Sequence, residues 1–323
     1  MAGLSVQSDT GQSPQGLSAT AMTVIQASMA GKSKMAYLHA WKKLEKHWIE
    51  HSLNPKLPLR STELVNYLSV LYDEGYAAST IASHSAAITF THKLLGLSDP
   101  SDSFIVKKFL RGVTKLVGTN DSRLPITRSI LVQLLNAIPC IITTQCYRQL
   151  LKAVFAVTFA GFFRIGELCL SSGFETSVLV QMSDVQFTFS GRQPIAVTIS
   201  LHHYKHKKSS EPVHIYIPAS GDSSPHCPVI LLWQYLQMFK NTHGPLFQFL
   251  DRTPVKYSFI AEKLQILIRY IGLDPGRYKP HSFRIGAASS ALMDGYSEDA
   301  IRNMGRWKSS AVKNYIRLPA VHL

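Results

Sequence analysis

A nine-residue stretch, Val117-Gly-Thr-Asn-Asp-Ser-Arg-Leu-Pro125, interrupts two long blocks of strongly patterned apolar residues. It is polar, rich in turn formers and closed by proline, so it offers no apolar face to a core. Burying such a segment would strand its backbone N–H and C=O groups without partners. The chain is therefore expected to build two cores rather than one, and 323 residues suffice for both. The boundaries that follow are a disordered tail at 1–16, a helical domain at 17–116, a linker at 117–126 and a second domain at 127–323.

The first block has helical period throughout. Tyr37, Trp41, Leu44 and Trp48 step by four, three and four, which draws one apolar stripe along a helix. Leu64, Leu68 and Leu71 form a second stripe behind Ser61-Thr62-Glu63, with Asn54-Pro55 to Pro58 breaking the chain between them. Further helices are expected from about Ser79 to Leu95 and from about Ser101 to Lys115. Nothing in this block has the alternation of a strand. The third helix carries a face of small polar groups, Ser79, Thr80, Ser83 and His84, and the fourth carries Lys107, Lys108 and Arg111. Hydroxyls and cations arranged in this way suit phosphates and base edges, although each residue taken singly also fits a solvated helix face. The block holds no catalytic constellation.

The second block mixes periods. Helices are expected at Arg128 to Ile138 and, as one long element, at Gln145 to Leu170; its FAGFFRIGEL segment places Arg164 and Glu167 three residues apart, where a salt bridge can form. Three β-type segments follow, Asp184 to Phe189, Ile195 to Leu201 and Val213 to Ile217. The last two are joined by the basic tip HHYKHKKSSEP, which contains Lys205, Lys207 and Lys208. Helices return at Val229 to Lys240 and Ser258 to Ile271. In the final segment, Pro280 to Tyr315, glycines at 295 and 305 separate three short helices. Ser297 is placed to cap the second of them, with Glu298 and Asp299 in its first turn, and Ser309 or Ser310 to cap the third. His281 and Arg284 fall at the start of the first and Tyr315 on the third. A helix start beside a cationic fork suits an anion.

Charge narrows the partner. Lys and Arg number 34 against 20 acidic residues, a formal charge of +14, and the sequence pI is near 9.6. Such a balance favours a polyanion, with nucleic acid ahead of a membrane surface. No apolar run approaches the ~20 residues that span a bilayer. The four cysteines, Cys140, Cys146, Cys169 and Cys227, lack paired spacing and read as reduced thiols of an intracellular protein. His202, His203 and His206 have no cysteine or carboxylate at ligand spacing, so neither a metal nor another cofactor is expected.

In order, the chain now presents Arg164, Lys205, His281-x-x-Arg284, Trp307 and Tyr315. Here it resembles the tyrosine recombinase (phage integrase-like) family, whose active site runs Arg, Lys, His-x-x-Arg, His or Trp, then Tyr. The wording RIGEL, HSFRIGAAS and GRWKSSAVKNYIR is similar to that of recombinases of eukaryotic mobile elements of Crypton and DIRS type. The resemblance implies a mainly α fold with a small antiparallel β-sheet: a helical, SAM-like core-binding domain followed by an α+β catalytic domain. It implies double-stranded DNA as partner, four protomers acting on two duplexes, and a nuclear location if the host is eukaryotic. Arg164 and Arg284 would fork onto a phosphodiester, with His281 and the Trp307 indole N–H adding donors. Tyr315 would attack phosphorus, and Lys205 would protonate the departing 5′-oxygen; Lys207 and Lys208 are close competitors for that role. Glu167 is assigned to orienting the pocket. Two other readings share much of this pattern: a type IB topoisomerase-like relaxing enzyme, and a DNA-binding protein derived from a recombinase without its activity.

Overall fold

The computed structural model describes residues 18–29, 31–118, 121–171, 175–204, 211–221, 224–240, 243–308 and 310–317. The expected tail at 1–16 lies outside them, as does the hairpin tip with Lys205, Lys207 and Lys208. The chain divides into two compact units, Met1–Asp121 and Ser122–Leu323.

The first unit contains α1 (Ala19–Ala27), α2 (Gly31–Glu50), α3 (Ser61–Asp73), α4 (Ala78–Leu94) and α5 (Phe104–Val117). Among its described residues there is no strand. The two apolar stripes enter one core: Trp41, Leu44 and Trp48 of α2 and Leu64, Leu68 and Leu71 of α3 join Ile81, Ile88, Val106 and Val113. The fourth expected helix begins later than its apolar pattern suggested. The Asp99 carboxylate accepts the Ser101 N–H and forms a 3₁₀ turn at Pro100–Asp102, and Ser103 then caps α5.

His84 departs from expectation. It does not lie on a solvated face with Ser79, Thr80 and Ser83 but is buried, with Nδ1 2.7 Å from the Tyr67 hydroxyl. Ser79 is exposed, and Thr80 and Ser83 are half-buried. A helix of 17 residues turns several residues inward on any packed side, and here the Tyr67 hydroxyl gives the imidazole a partner that makes burial tolerable.

The second unit is built around α7 (Gln145–Ala160), whose segment Ala153–Thr158 is almost wholly buried, with α6 (Arg128–Ile141) beside it. α6 starts where Thr127 Oγ1 accepts the Ile130 N–H. The long helix expected at Gln145 to Leu170 is broken. It ends at Ala160, Phe162 takes a positive φ of 50°, and a single turn, α8 (Ile165–Leu168), begins after Arg164. A Cβ on Gly161 would run into the Phe163 ring, so only glycine allows the chain to double back here.

Three antiparallel strands, β1 (Val185–Ser190), β2 (Gln193–Leu201) and β3 (Val213–Pro218), lie in the order β1-β2-β3 with Leu201 opposite Val213. The β1–β2 register shifts once, between Thr188 and Phe189. α9 (Pro228–Leu236) covers one face, with Trp233 edge-on to Phe187 and Phe189. α10 (Tyr257–Tyr270), α11 (Ser282–Met293) and α12 (Glu298–Met304) follow, then a 3₁₀ turn at Ser310–Asn314. Ser297 caps α12 through the Ala300 N–H, with Glu298 and Asp299 in the first turn. The last helix of the expected trio is thus a 3₁₀ turn, and Tyr315 stands just past it.

The linker expected at 117–126 is not free along its whole length. Leu124 N–H donates to Arg277 O at 2.8 Å and Ile126 N–H to Ser282 O at 3.0 Å, and Ile126 is fully buried in the second core. Its carbonyl lies so close to Gly286 of α11 that a Cβ there would overlap it. Leu124 and Ile126, apolar residues at the end of this polar stretch, thereby join the second unit.

Candidate active site

The turn that breaks the long helix sets the first side chain. Arg164 stands at the N-cap of α8, and Glu167, three residues on, folds back to accept both its backbone N–H (2.8 Å) and its Nη1 (3.0 Å). Glu167 is 5% exposed, so its charge needs compensation on every side. The second partner is Arg306: Nη2 donates to Glu167 Oε2 at 3.1 Å, and both side chains are 6% exposed. Arg306 also donates to the carbonyls of Gly161 and Phe162, each at 3.1 Å.

Arg284 belongs to the first turn of α11. It is fully buried, and its two terminal nitrogens donate to Phe162 O and Gly305 O. Its guanidinium lies 4.3 Å from the Trp307 ring centroid and 5.7 Å from that of Tyr315. Tyr315 packs against two rings, with centroids 4.7 Å from Trp307 and 5.2 Å from His281. Phe162 meets Trp307 edge-on.

The electrostatics are lopsided. Three guanidiniums, Arg164, Arg284 and Arg306, surround one carboxylate. Burial pushes the Arg284 guanidinium down to about 9, with Arg164 and Arg306 adding to the effect and Glu167 opposing it. Burial likewise lowers Arg306, against the pull of Glu167. Three N–H donors in this cluster, Arg284 Nε, Arg306 Nε and Trp307 Nε1, are buried without a hydrogen-bond partner. Buried donors left unmatched cost stability, and excess positive charge with spare donors is what an anion would satisfy.

The structure therefore brings Arg164, Glu167, His281, Arg284, Trp307 and Tyr315 into one cluster. Ser79, Thr80, Ser83, Lys107, Lys108 and Arg111 belong to the first unit. Lys107, Lys108 and Arg111 are exposed, with Lys107 3.5 Å from Asp102 and Lys108 over the Phe104 ring. Lys205, Lys207 and Lys208 fall outside the described residues. Arg306 was missed from the sequence. Its only signal was an arginine between Gly305 and Trp307, and nothing local shows that it turns inward with a positive φ of 57°. Arg306 also lines a cleft of about 710 Å³ bordered by β3, α7, α11 and α12. Among the described residues, no group of three or more His, Cys, Asp or Glu side chains is arranged to hold a metal ion, and no helix is long and apolar enough to cross a membrane.

No family model matches the sequence, and no curated protein matches it. Solved structures do. A lambda integrase dimer bound to a COC′ core site superposes with TM-score 0.60 at 15% identity, covering 92% of this chain and 74% of that one. The XerH site-specific recombinase bound to palindromic difH, a post-cleavage complex, gives 0.62 at 14%, covering 87% and 74%. The Tn1549 transposon integrase in complex with transposon right end DNA gives 0.60 at 12%, covering 92% and 93%. At these identities the likeness is one of fold. The fold, mainly helical with a small antiparallel sheet among the described residues, is similar to that of these integrases and this recombinase.

Proposed function

We propose that this protein is a site-specific DNA recombinase that cuts and rejoins strands through a 3′-phosphotyrosyl intermediate, in the service of a mobile element. The observation that carries the reading is the cluster itself: three arginines around one glutamate, unmatched buried donors, and a tyrosine packed against Arg284, His281 and Trp307. The fold shared with DNA-bound recombinases supports it.

A phosphodiester resists attack because its anionic oxygens repel a nucleophile. Arg164, whose side chain is 23% exposed, meets the scissile phosphate first, and the charge of Arg284 behind it offsets the negative charge that grows in the pentacoordinate transition state. Trp307 Nε1 and His281 are the further donors. Arg284 itself is fully buried, against the rings of Trp307 and Tyr315. Tyr315 Oη then bonds to phosphorus and loses its proton, the bond to the 5′-oxygen breaks, and that oxygen is protonated, a role we assign to Lys205. A 5′-hydroxyl from another strand reverses the step, so neither ATP nor metal is consumed. Four protomers on two duplexes and a nuclear site of action in a eukaryotic host complete the proposal, with a Crypton- or DIRS-type element as its source.

The test uses nicked suicide duplexes, drawn from the element's ends or from a random library, mixed with protein in chelator and resolved on denaturing gels. A covalent adduct that disappears in Tyr315→Phe, with DNA binding nearly unchanged, is expected. An adduct formed equally by Tyr315→Phe refutes the nucleophile assignment.

A further inference from the structure

Helix α11 is unusually poor in bulk after its first turn, reading Gly286-Ala-Ala-Ser-Ser-Ala291. Each small residue meets something different. Gly286 abuts the Ile126 backbone, and Ala287, Ala288 and Ala291 form a cluster with Trp307 and Val312, against which Tyr315 and Ile316 pack. Ser290 Oγ accepts the Arg128 N–H at 3.3 Å. Ser289, 1% exposed, faces the segment that carries Tyr315.

The bonds made by Ser289 have a specific consequence. Its hydroxyl oxygen accepts the Arg317 N–H at 2.9 Å. Its single proton has two acceptors within reach, Ile285 O at 3.0 Å, one turn back on α11, and Tyr315 O at 3.3 Å. The Tyr315 N–H is already held by Val312 O at 2.8 Å. The peptide units on both sides of Tyr315 are therefore fixed, one by its own 3₁₀ turn and the other by a side chain of α11. The Arg317 guanidinium donates to Arg123 O, which ties the exit of the same segment to the stretch that Leu124 and Ile126 pin down.

We propose that Ser289 is a positioning residue for the nucleophile: through the Tyr315 carbonyl and the Arg317 amide it sets where the Tyr315 ring stands relative to His281, Arg284 and Trp307. This rests on the strand-transfer reading above. The hydrogen bonds of Ser289 reach backbone groups and not the Tyr315 hydroxyl. It acts on the backbone, and because its O–H can rotate toward Ile285 O or Tyr315 O, it can hold or release the Tyr315 carbonyl without leaving a buried hydroxyl unpaired. Misplacement of a reacting group by about 1 Å costs up to roughly 100-fold in rate, so a single hydroxyl at this place has leverage on cleavage.

Ser289→Ala is compared with Ser290→Ala, its neighbour on the same helix, equally buried and with no hydrogen bond to the segment 310–317. Adduct formation on a suicide duplex is timed at saturating DNA, and DNA affinity is titrated separately. Hydrogen exchange is followed in a peptide spanning Tyr315 to Arg317. The expected result is a roughly 10- to 100-fold slower adduct for Ser289→Ala, unchanged affinity, and faster exchange at Arg317. Ser290→Ala should stay within about twofold of wild type, and Ser289→Thr, which keeps the hydroxyl, should recover part of the rate. Wild-type speed in Ser289→Ala, or an equal slowing in Ser290→Ala, overturns the proposal. Should the wild-type protein form no adduct on any duplex, the strand-transfer reading fails. Exchange then decides alone: unchanged protection at Arg317 in Ser289→Ala would refute the latch as well.

Discussion

Replacing Glu167 with glutamine tests the electrostatic logic of the cluster most directly. The change keeps size and one acceptor oxygen but removes the single negative charge among Arg164, Arg284 and Arg306. The two ion pairs it breaks are unequal. The Arg164 side chain is 23% exposed, so water screens part of its loss, whereas Arg306 and Glu167 are each 6% exposed and their 3.1 Å pair has no such relief. Removing one partner of a buried pair typically costs about 3–5 kcal/mol, and most of that should come from Arg306. Urea unfolding, read by pulsed hydrogen exchange in peptides covering 161–168 and 305–307, should report a loss in that range. Inorganic phosphate should then return part of it, because an anion replaces the missing charge: a ligand at 100 times its Kd stabilises by about 2.7 kcal/mol. Phosphate should help Glu167→Gln more than wild type. A loss below about 1 kcal/mol, or equal phosphate effects on the two proteins, would refute the claim that this carboxylate balances a buried cationic pocket.

Further expectations follow from the same structure. Gly286→Ala should destabilise the second unit by about 1–3 kcal/mol, since its Cβ would overlap the Ile126 carbonyl; a melting temperature equal to wild type would argue against so close an approach. Arg306→Lys keeps the charge but offers one nitrogen where Nη1 and Nη2 of the arginine reach separate acceptors, so adduct formation should slow at least about tenfold while salt-sensitive DNA binding persists. In the first unit, burial lowers both His47 and His84 below the usual imidazole range, with His51 adding to the effect on His47 and His39 to that on His84. Because the unfolded chain takes up protons first, stability should be full above about pH 6.5 and fall as pH drops from there toward the lowered values. Hydrogen exchange in α2–α4 should speed up between about pH 6.5 and 5 in wild type and less so in His84→Asn.

Much of this protein is legible in its residues because the relevant signals are local. Apolar steps of three and four place Trp41, Leu44 and Trp48 on one face of a helix, and alternation marks the three strands to within a residue or two, since side-chain direction repeats with each backbone geometry. Ser297 followed by Glu298 and Asp299 announces a helix start because a cap needs only its own first turn. The order Arg164, His281, Arg284, Trp307, Tyr315 suggests one site before any coordinates only through its resemblance to the tyrosine recombinase motif; each residue taken singly carries little signal. What the residues could not disclose depends on groups far apart in the chain. The inward turn of Arg306 is decided by a glutamate 139 residues away, the burial of His84 by a hydroxyl 17 residues away, and the docking of Ile126 by the bare surface of Gly286. Partners of this kind are chosen by packing and charge balance in three dimensions, and a linear pattern carries no record of them.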